Sequence, residues 1–361
     1  MNMLNLQPMY LRKLVYRVTH WESWDWRTKY IPLTPAWVWY CLRSGSWWFF
    51  TTSNPTLTFG GFEGESKTEI YNQLPESSYP KTLFVSHGIS FGELENAINH
   101  RGYQYPLAVK PDVGMKGYLF RKINNRTELM LYHDKVPVDY IVQDYINYPL
   151  EVSLFYYRFP NQQKGTITGF IKKESMGVTG DGTSSLLNLI KQHTRARDML
   201  DEMTAKHGKN FDEVIPAGES YILSQAANLN RGGKLIDLSH EKDERLLRVF
   251  DDLSHYTKSF FYGRYDIKCQ SIDDLKEGRN FSILEFNGSG AEPHHVYGAG
   301  YNLVQASRIL LHHWDVLYKI SKYNHRQGLP YWEFSKGLKF LKDAKRHTKI
   351  LQKLDSEIVL S

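Results

Sequence analysis

Cysteine is scarce: the 361 residues hold two, Cys41 and Cys269, far apart and without metal-ligand spacing. They cannot build a disulfide framework, so a reducing, cytoplasmic setting is expected. Long apolar runs are missing too. The most apolar stretch, PAWVWYCLRSGSWWFF from Pro35 to Phe50, is broken by Arg43 and a Ser-Gly-Ser turn. It is too short and too interrupted to span a bilayer. The start, MNMLNLQPMYLRKLVYRV, lacks a long apolar core and a small-residue cleavage site, so no cleavable signal peptide is expected. Internal repeats and low-complexity segments are absent as well.

What is present is an ordinary globular balance, 41% apolar and 23% charged, with an unusual wealth of aromatics: 24 Tyr, 18 Phe and 9 Trp. The net charge of +6 is unevenly placed. Between Lys336 and Lys353 stand seven Lys or Arg against one acid, and without that segment the formal charge is zero. The basicity belongs to a tail rather than to a folded face, which argues against nucleic acid as a partner.

Three regions separate by composition. Residues 1–85 carry seven of the nine tryptophans and end near the glycine-rich stretch FGGFEGESK. Residues 86–325 alternate strand and helix signals, which points to an α+β (α/β-containing) fold. Residues 326–361 read as a basic amphipathic helix with Leu338, Leu341, Ala344, Leu351, Leu354 and Ile358 roughly on one side. In the middle region, Ser90 and Glu93 have capping-box spacing ahead of an apolar helix stripe. LAVK (107–110), a glycine loop and YLFRKI (118–123) predict a hairpin. Further strands are expected at YIVQDYI, LEVSLFYYR and GTITGFIKK, then a helix around 244–259, then YGRYDIKC and FSILEFN.

The chemistry-bearing residues lie on these strands. Asp266 is mid-strand, and Glu285 and Asn287 stand two apart, so the last two share a strand face. Two carboxylates and an amide oxygen are hard donors suited to Mg²⁺. Lys110 ends an apolar strand just before a glycine loop, where an ammonium and backbone N–H groups can meet phosphates. Gln143-Asp144-Tyr145-Ile146 ends another strand with Glu151 close behind, an arrangement that can hold an adenine edge and a ribose hydroxyl. Each feature alone is also what an ordinary solvated strand carries.

Taken in order, AVKPDVGMKG, then QDYI with Glu151, then GRYD with LEFN resemble the ATP-grasp superfamily. GRYD is similar to the corresponding stretch of D-alanine–D-alanine ligases. MGVTGDGTSSLLNLI and ANLNRGGKLID are similar to segments of the cyanophycin synthetase branch of carboxylate–amine ligases. The resemblance covers about residues 86–310. It implies two antiparallel-sheet lobes gripping ATP, the smaller about 86–148 and the larger about 149–325. It further implies that Lys110, Gly114, Lys116, Gly117, Gln143, Asp144, Tyr145, Ile146 and Glu151 bind ATP. Asp266, Glu285 and Asn287 would hold one or two Mg²⁺, with Mn²⁺ as a substitute. Arg264, Arg231 and either Lys172 or Lys173 would stabilise the transferring phosphoryl group and the intermediate that follows.

The implied activity is ADP-forming ligation: a small-molecule, peptide or sugar carboxylate is activated as an acyl phosphate and joined to an amine or similar acceptor. An ATP-grasp phosphotransferase is the alternative, and a non-catalytic nucleotide-binding scaffold a weaker one. FGGFEGESK reads either as a substrate-binding loop over the site or as a turn capping a sheet. The Trp-rich stretch and the basic helix read as an aromatic core and a solvated helix, with peripheral membrane contact at the inner face as the other reading. His294-His295 could meet the acceptor or be incidental, and His312-His313 is expected to be structural.

Overall fold

The computed structural model describes residues 21, 24–224 and 233–358. Arg231 therefore lies outside the described residues. The described strands are β1 Thr82–Val85, β2 Leu107–Pro111, β3 Arg121–Ile123, β4 Tyr140–Asp144, β5 Leu150–Tyr157, β6 Thr166–Glu174, β7 Gly177–Thr179, β8 Ser220–Ile222, β9 Lys234–Asp237, β10 Tyr262–Cys269 and β11 Phe281–Asn287. The described helices of ten or more residues are α1 Thr34–Ser44, α2 Phe91–His100, α3 Arg126–Lys135, α4 Glu244–Thr257, α5 Leu303–Arg326 and α6 Phe334–Glu357.

The chain is α+β, as its strand and helix signals predict. A four-stranded antiparallel sheet runs β1-β4-β2-β3 and a five-stranded one β11-β10-β5-β6-β9, with β7 and β8 pairing as a separate two-stranded sheet. The smaller sheet is backed by α2, started by the Ser90–Glu93 capping box, and by α3. Leu94, Ile98, Leu129 and Tyr132 fill the space between. The larger sheet is backed by α4, whose Leu246, Phe250 and Leu253 meet Leu154, Phe170 and Tyr265.

β1 pairs with β4, so the smaller sheet takes in Thr82–Val85, just ahead of residue 86. One expectation is corrected here. The strand expected at 118–123 is present only from Arg121. Lys116 and Leu119 take positive φ (both 57°), and buried Leu119 turns its N–H to the Asp355 carboxylate 2.8 Å away. A contact more than two hundred residues distant thus interrupts the local strand preference.

That contact belongs to α6, which bridges the two lobes. Leu351 and Ile358 are buried in the core of the smaller sheet. Phe340 and Leu341 pack instead into an aromatic core of Phe49, Phe50, Phe59, Tyr262 and Tyr318. Full burial of each such side chain is worth roughly 1.5–3 kcal/mol. The helix is therefore docked along its length, and Arg121 pairs with Asp355 at 2.8 Å at its far end.

Candidate active site

The register of the larger sheet assembles one functional face. Asp266 on β10 stands opposite Ser153 on β5 and Glu285 on β11; Arg264 stands opposite Asn287, and Lys268 opposite Glu151. Glu151 is in turn opposite Lys173 on β6. Strand alternation puts Arg264, Asp266 and Lys268 on the same face.

Lys172 and Lys173 separate for the same reason. Lys173 is 7% exposed, with Nζ 3.0 Å from Asp266 Oδ1 and 3.6 Å from Glu151 Oε1. Lys172 turns the other way, onto Glu174 at 2.8 Å. Asp266 is the hub. Its Oδ1 accepts from Ser153 Oγ (2.6 Å) and Arg264 Nε (3.1 Å), its Oδ2 from Arg264 Nη2 (3.1 Å) and Asn287 Nδ2 (3.4 Å). Burial works to raise its carboxyl, but Arg264 and Lys173 outweigh it and hold the group well below the usual carboxylate range.

On one side of this hub lies a cavity of about 240 Å³. Lys110, Gly114, Gly117, Gln143, Asp144, Tyr145, Ile146 and Glu151 line it, as do Lys173, Asp266 and Glu285. Lys110 Nζ donates to Leu284 O (3.0 Å) and Tyr71 Oη (3.2 Å). Burial pushes its ammonium down to about 8, with Glu285 opposing. Lys268 was missed by the motif reading although it sits two residues beyond Asp266. It donates to Ile146 O at 3.3 Å, and it and Lys122 stand over the Tyr145 ring at 5.7 and 4.7 Å.

On the other side lies a cavity of about 620 Å³, which shares Lys67, Gly114, Met115, Gly117, Tyr118, Lys173, Asp266 and Glu285 with the first. Arg264, Asn287, His294 and Lys116 line this one and not the smaller cavity, so Lys116 stands apart from the other residues expected around the nucleotide. The stretch GGFEGESK forms part of its wall. The loop lies backbone to backbone on the segment after β11: Ser289 N donates to Gly60 O and Gly290 N to Gly61 O, both at 3.1 Å. A Cβ at Gly290 would come within 1.9 Å of Phe62 O, so only glycine admits this approach. Buried Asn54 holds the same loop to the start of β10, donating to Gly60 O (3.1 Å) and Tyr262 O (2.9 Å).

The loop also grips the glycine-punctuated segment after β2. Asp112 accepts from Ser66 Oγ (2.6 Å), Thr68 N (2.8 Å) and Thr68 Oγ1 (2.7 Å), while Lys67 Nζ donates to Gly114 O at 3.2 Å. His347 on α6 reaches Val113 O at 2.9 Å from the other side.

Three acids stand in the wall, Glu63 and Glu65 in the glycine-rich stretch and Glu292 outside any motif. Burial, with Glu285 adding, raises the Glu65 carboxyl to about 7 against the pull of its own backbone N–H and Lys67. Glu63 is raised by burial against Lys116 and Lys345. Glu292 Oε1 accepts from the Tyr30 hydroxyl at 2.6 Å and from the Tyr297 hydroxyl. Of the paired histidines, His294 lines the cavity, and burial with Arg264 and Lys173 keeps it neutral. His313 is 1% exposed, its ring edge-on to Phe155 at 4.4 Å, as its structural reading expects.

Among the described residues no cluster of three or more His, Cys, Asp or Glu could cage a metal ion. Asp266, Glu285 and the Asn287 amide make a partial, all-oxygen donor set. That set fits Mg²⁺, which completes its shell with water and phosphate oxygens.

No family model matches the chain, and no curated protein matches it. Among solved structures it is similar to the bifunctional glutathione synthetase from Pasteurella multocida, at 14% identity and TM-score 0.40, covering 70% of this chain and 38% of that one. It is similar to the D-alanine–D-alanine ligase from Bacillus anthracis, at 14% identity and TM-score 0.40, covering 73% and 69%. A third is the ATP-grasp ligase PsnB solved with a minimal precursor, at 9% identity and TM-score 0.36, covering 69% and 60%. Identity and superposition this low assign no activity to this chain.

Proposed function

We propose that the chain is an ATP-grasp enzyme that uses Mg-ATP to activate a carboxylate and joins it to an amine or similar acceptor, releasing ADP and phosphate. The observation that carries this reading is the meeting of two cavities at Lys173, Asp266 and Glu285. One has an ammonium, a glycine loop and a strand-end hinge suited to a nucleotide. The other is larger, acid-bearing, and suited to a second reactant.

In this reading Gln143 to Ile146 meet the adenine, Glu151 the ribose, and Lys110 and Lys173 the phosphates. Mg²⁺, held by Asp266, Glu285 and Asn287, would neutralise phosphate charge. The substrate carboxylate oxygen attacks the γ-phosphorus, the bond to the β,γ-bridging oxygen breaks, and ADP leaves. The acceptor nitrogen then attacks the acyl carbon, the C–O bond to the phosphate breaks, and the nitrogen gives up its proton. Lys173 and Arg264 face the charge that develops in both steps, preorganised on Asp266 before any substrate arrives. The loop after β2, pinned by Ser66, Thr68 and His347, excludes water from the intermediate.

ADP release across a panel of amino acids, sugar acids and amines tests the reading. A ligase needs a carboxylate and an acceptor together for full turnover. Turnover with a single substrate would identify a phosphotransferase instead, and the absence of ATP turnover under every pairing would count against both.

A further inference from the structure

The aromatic-rich region is not wholly consumed by the core. Trp37 and Trp48 pack inside, but a row of large apolar side chains faces outward. Ile31 (62% exposed) lies in the helical turn Ile31–Leu33 that leads into α1, followed by Trp39 (55%) and Leu42 (70%) on α1 itself. Trp39 and Leu42, three residues apart, share one side of α1. Trp47 (54%) follows the turn at the end of α1, its carbonyl accepting from the thiol of buried Cys41.

The residue next to this row, Trp48, meets the basic helix. Trp48 stacks on Phe334, the first residue of α6, at 5.9 Å and 16°, and donates Nε1–H to Phe334 O at 3.1 Å. Phe334 is itself 56% exposed. Lys336, Lys339 and Lys342 follow, all exposed, and Arg43 flanks Trp39 with its guanidinium 5.8 Å from the ring. Two features that lie almost three hundred residues apart in sequence thus adjoin through Trp48 and Phe334, and exposed tryptophans and aliphatics lie on a segment next to the cations of α6.

We propose that this surface docks the protein on an anionic lipid bilayer, lying in the interface without crossing it. Indole rings favour the headgroup boundary, and basic side chains beside them add attraction to acidic headgroups. Among the described residues no helix is long and apolar enough to cross a membrane. A second copy of the chain fits the row less well, because it would bring the same row of lysines and place like charges together. The inference is independent of the catalytic reading.

Flotation of the full chain with vesicles of phosphatidylcholine, alone or mixed with phosphatidylglycerol, tests it. The chain should float with the mixed vesicles and not with phosphatidylcholine alone. The triple variant Trp39→Ser, Leu42→Ser, Trp47→Ser should lose about tenfold or more of that binding. Lys336→Glu, Lys339→Glu and Lys342→Glu together should remove the preference for acidic lipid. All six positions are exposed, so an unchanged melting temperature and circular dichroism verify that the variants fold. No flotation with either vesicle overturns the proposal, and so does a triple serine variant that floats like the parent. It is also overturned if the chain forms a dimer that the serine variant abolishes while vesicles stay unbound.

Discussion

The two cavities differ in how they are made. The smaller is lined by the end of β2 with the loop after it, the end of β4 with its following turn, and single positions or pairs on β5, β6, β10 and β11. The larger draws on Lys29, the loop at 61–67, the segment after β2, both sides of β11's end and α6. The loop after β2 lines both; beyond it the smaller is built mainly from sheet strands, and the larger is closed by chain segments wrapped around them. A nucleotide-handling half held by sheet register can stay constant while an acceptor half made of appended segments changes. The comparison predicts that substitutions at the junction damage both functions and that substitutions on either side separate them.

The largest effect is expected at the junction. Asp266→Asn removes the charge that organises Arg264 and Lys173 and one oxygen donor for the metal. ADP formation should fall roughly a thousandfold, read by a coupled assay. Retained turnover would remove Asp266 from the mechanism. Next, Lys110→Met should weaken ATP binding about 10- to 100-fold while leaving the acceptor KM alone, since a hydrogen bond to a charged group is worth about 1.5–3 kcal/mol. The parent should show a pH dependence that the variant lacks. Lys110 gives up its proton as pH rises through about 8, so nucleotide affinity should fall across that range.

Gly290→Ala sharpens the opposite side. Its Cβ would strike Phe62 O and displace the loop, raising the acceptor KM on the order of tenfold while ATP affinity holds. If both parameters moved together, the division between the halves would fail. The smallest effect is on stability. Glu65 holds its proton in the folded chain up to about 7, whereas its ordinary value is 4.5. The folded state therefore binds the extra proton between those values, and its contribution to stability falls as pH rises through that window. Melting curves should show Glu65→Gln flattening the dependence.

The nucleotide half was the legible half for a physical reason. Strand alternation, a glycine loop after Lys110 and a proline-containing turn before Glu151 are local signals, and the hairpin they predict pairs Leu107 with Ile123. Lys172 and Lys173 stayed equivalent until the Glu151–Lys173 register fixed which one faces inward. Tyr118 to Phe120 read as strand because nothing nearby announces the Asp355 contact that bends Leu119. Glu292 and His347 carry no pattern at all, and Glu65 is marked only by the glycine-rich stretch around it. They reach the larger cavity only through long-range packing: glycine against glycine at 60–61 and 288–290, phenols on Glu292, and α6 lying across the loop.

The central claim is that the residues around the smaller cavity bind Mg-ATP through a site completed at Lys173, Asp266 and Glu285. Titration calorimetry with ATP, with and without Mg²⁺, tests it most directly, using the parent chain and Lys173→Met. The account predicts one nucleotide per chain, binding that strengthens with Mg²⁺, and a large loss in Lys173→Met. No nucleotide binding, or binding indifferent to both Mg²⁺ and Lys173, would contradict it.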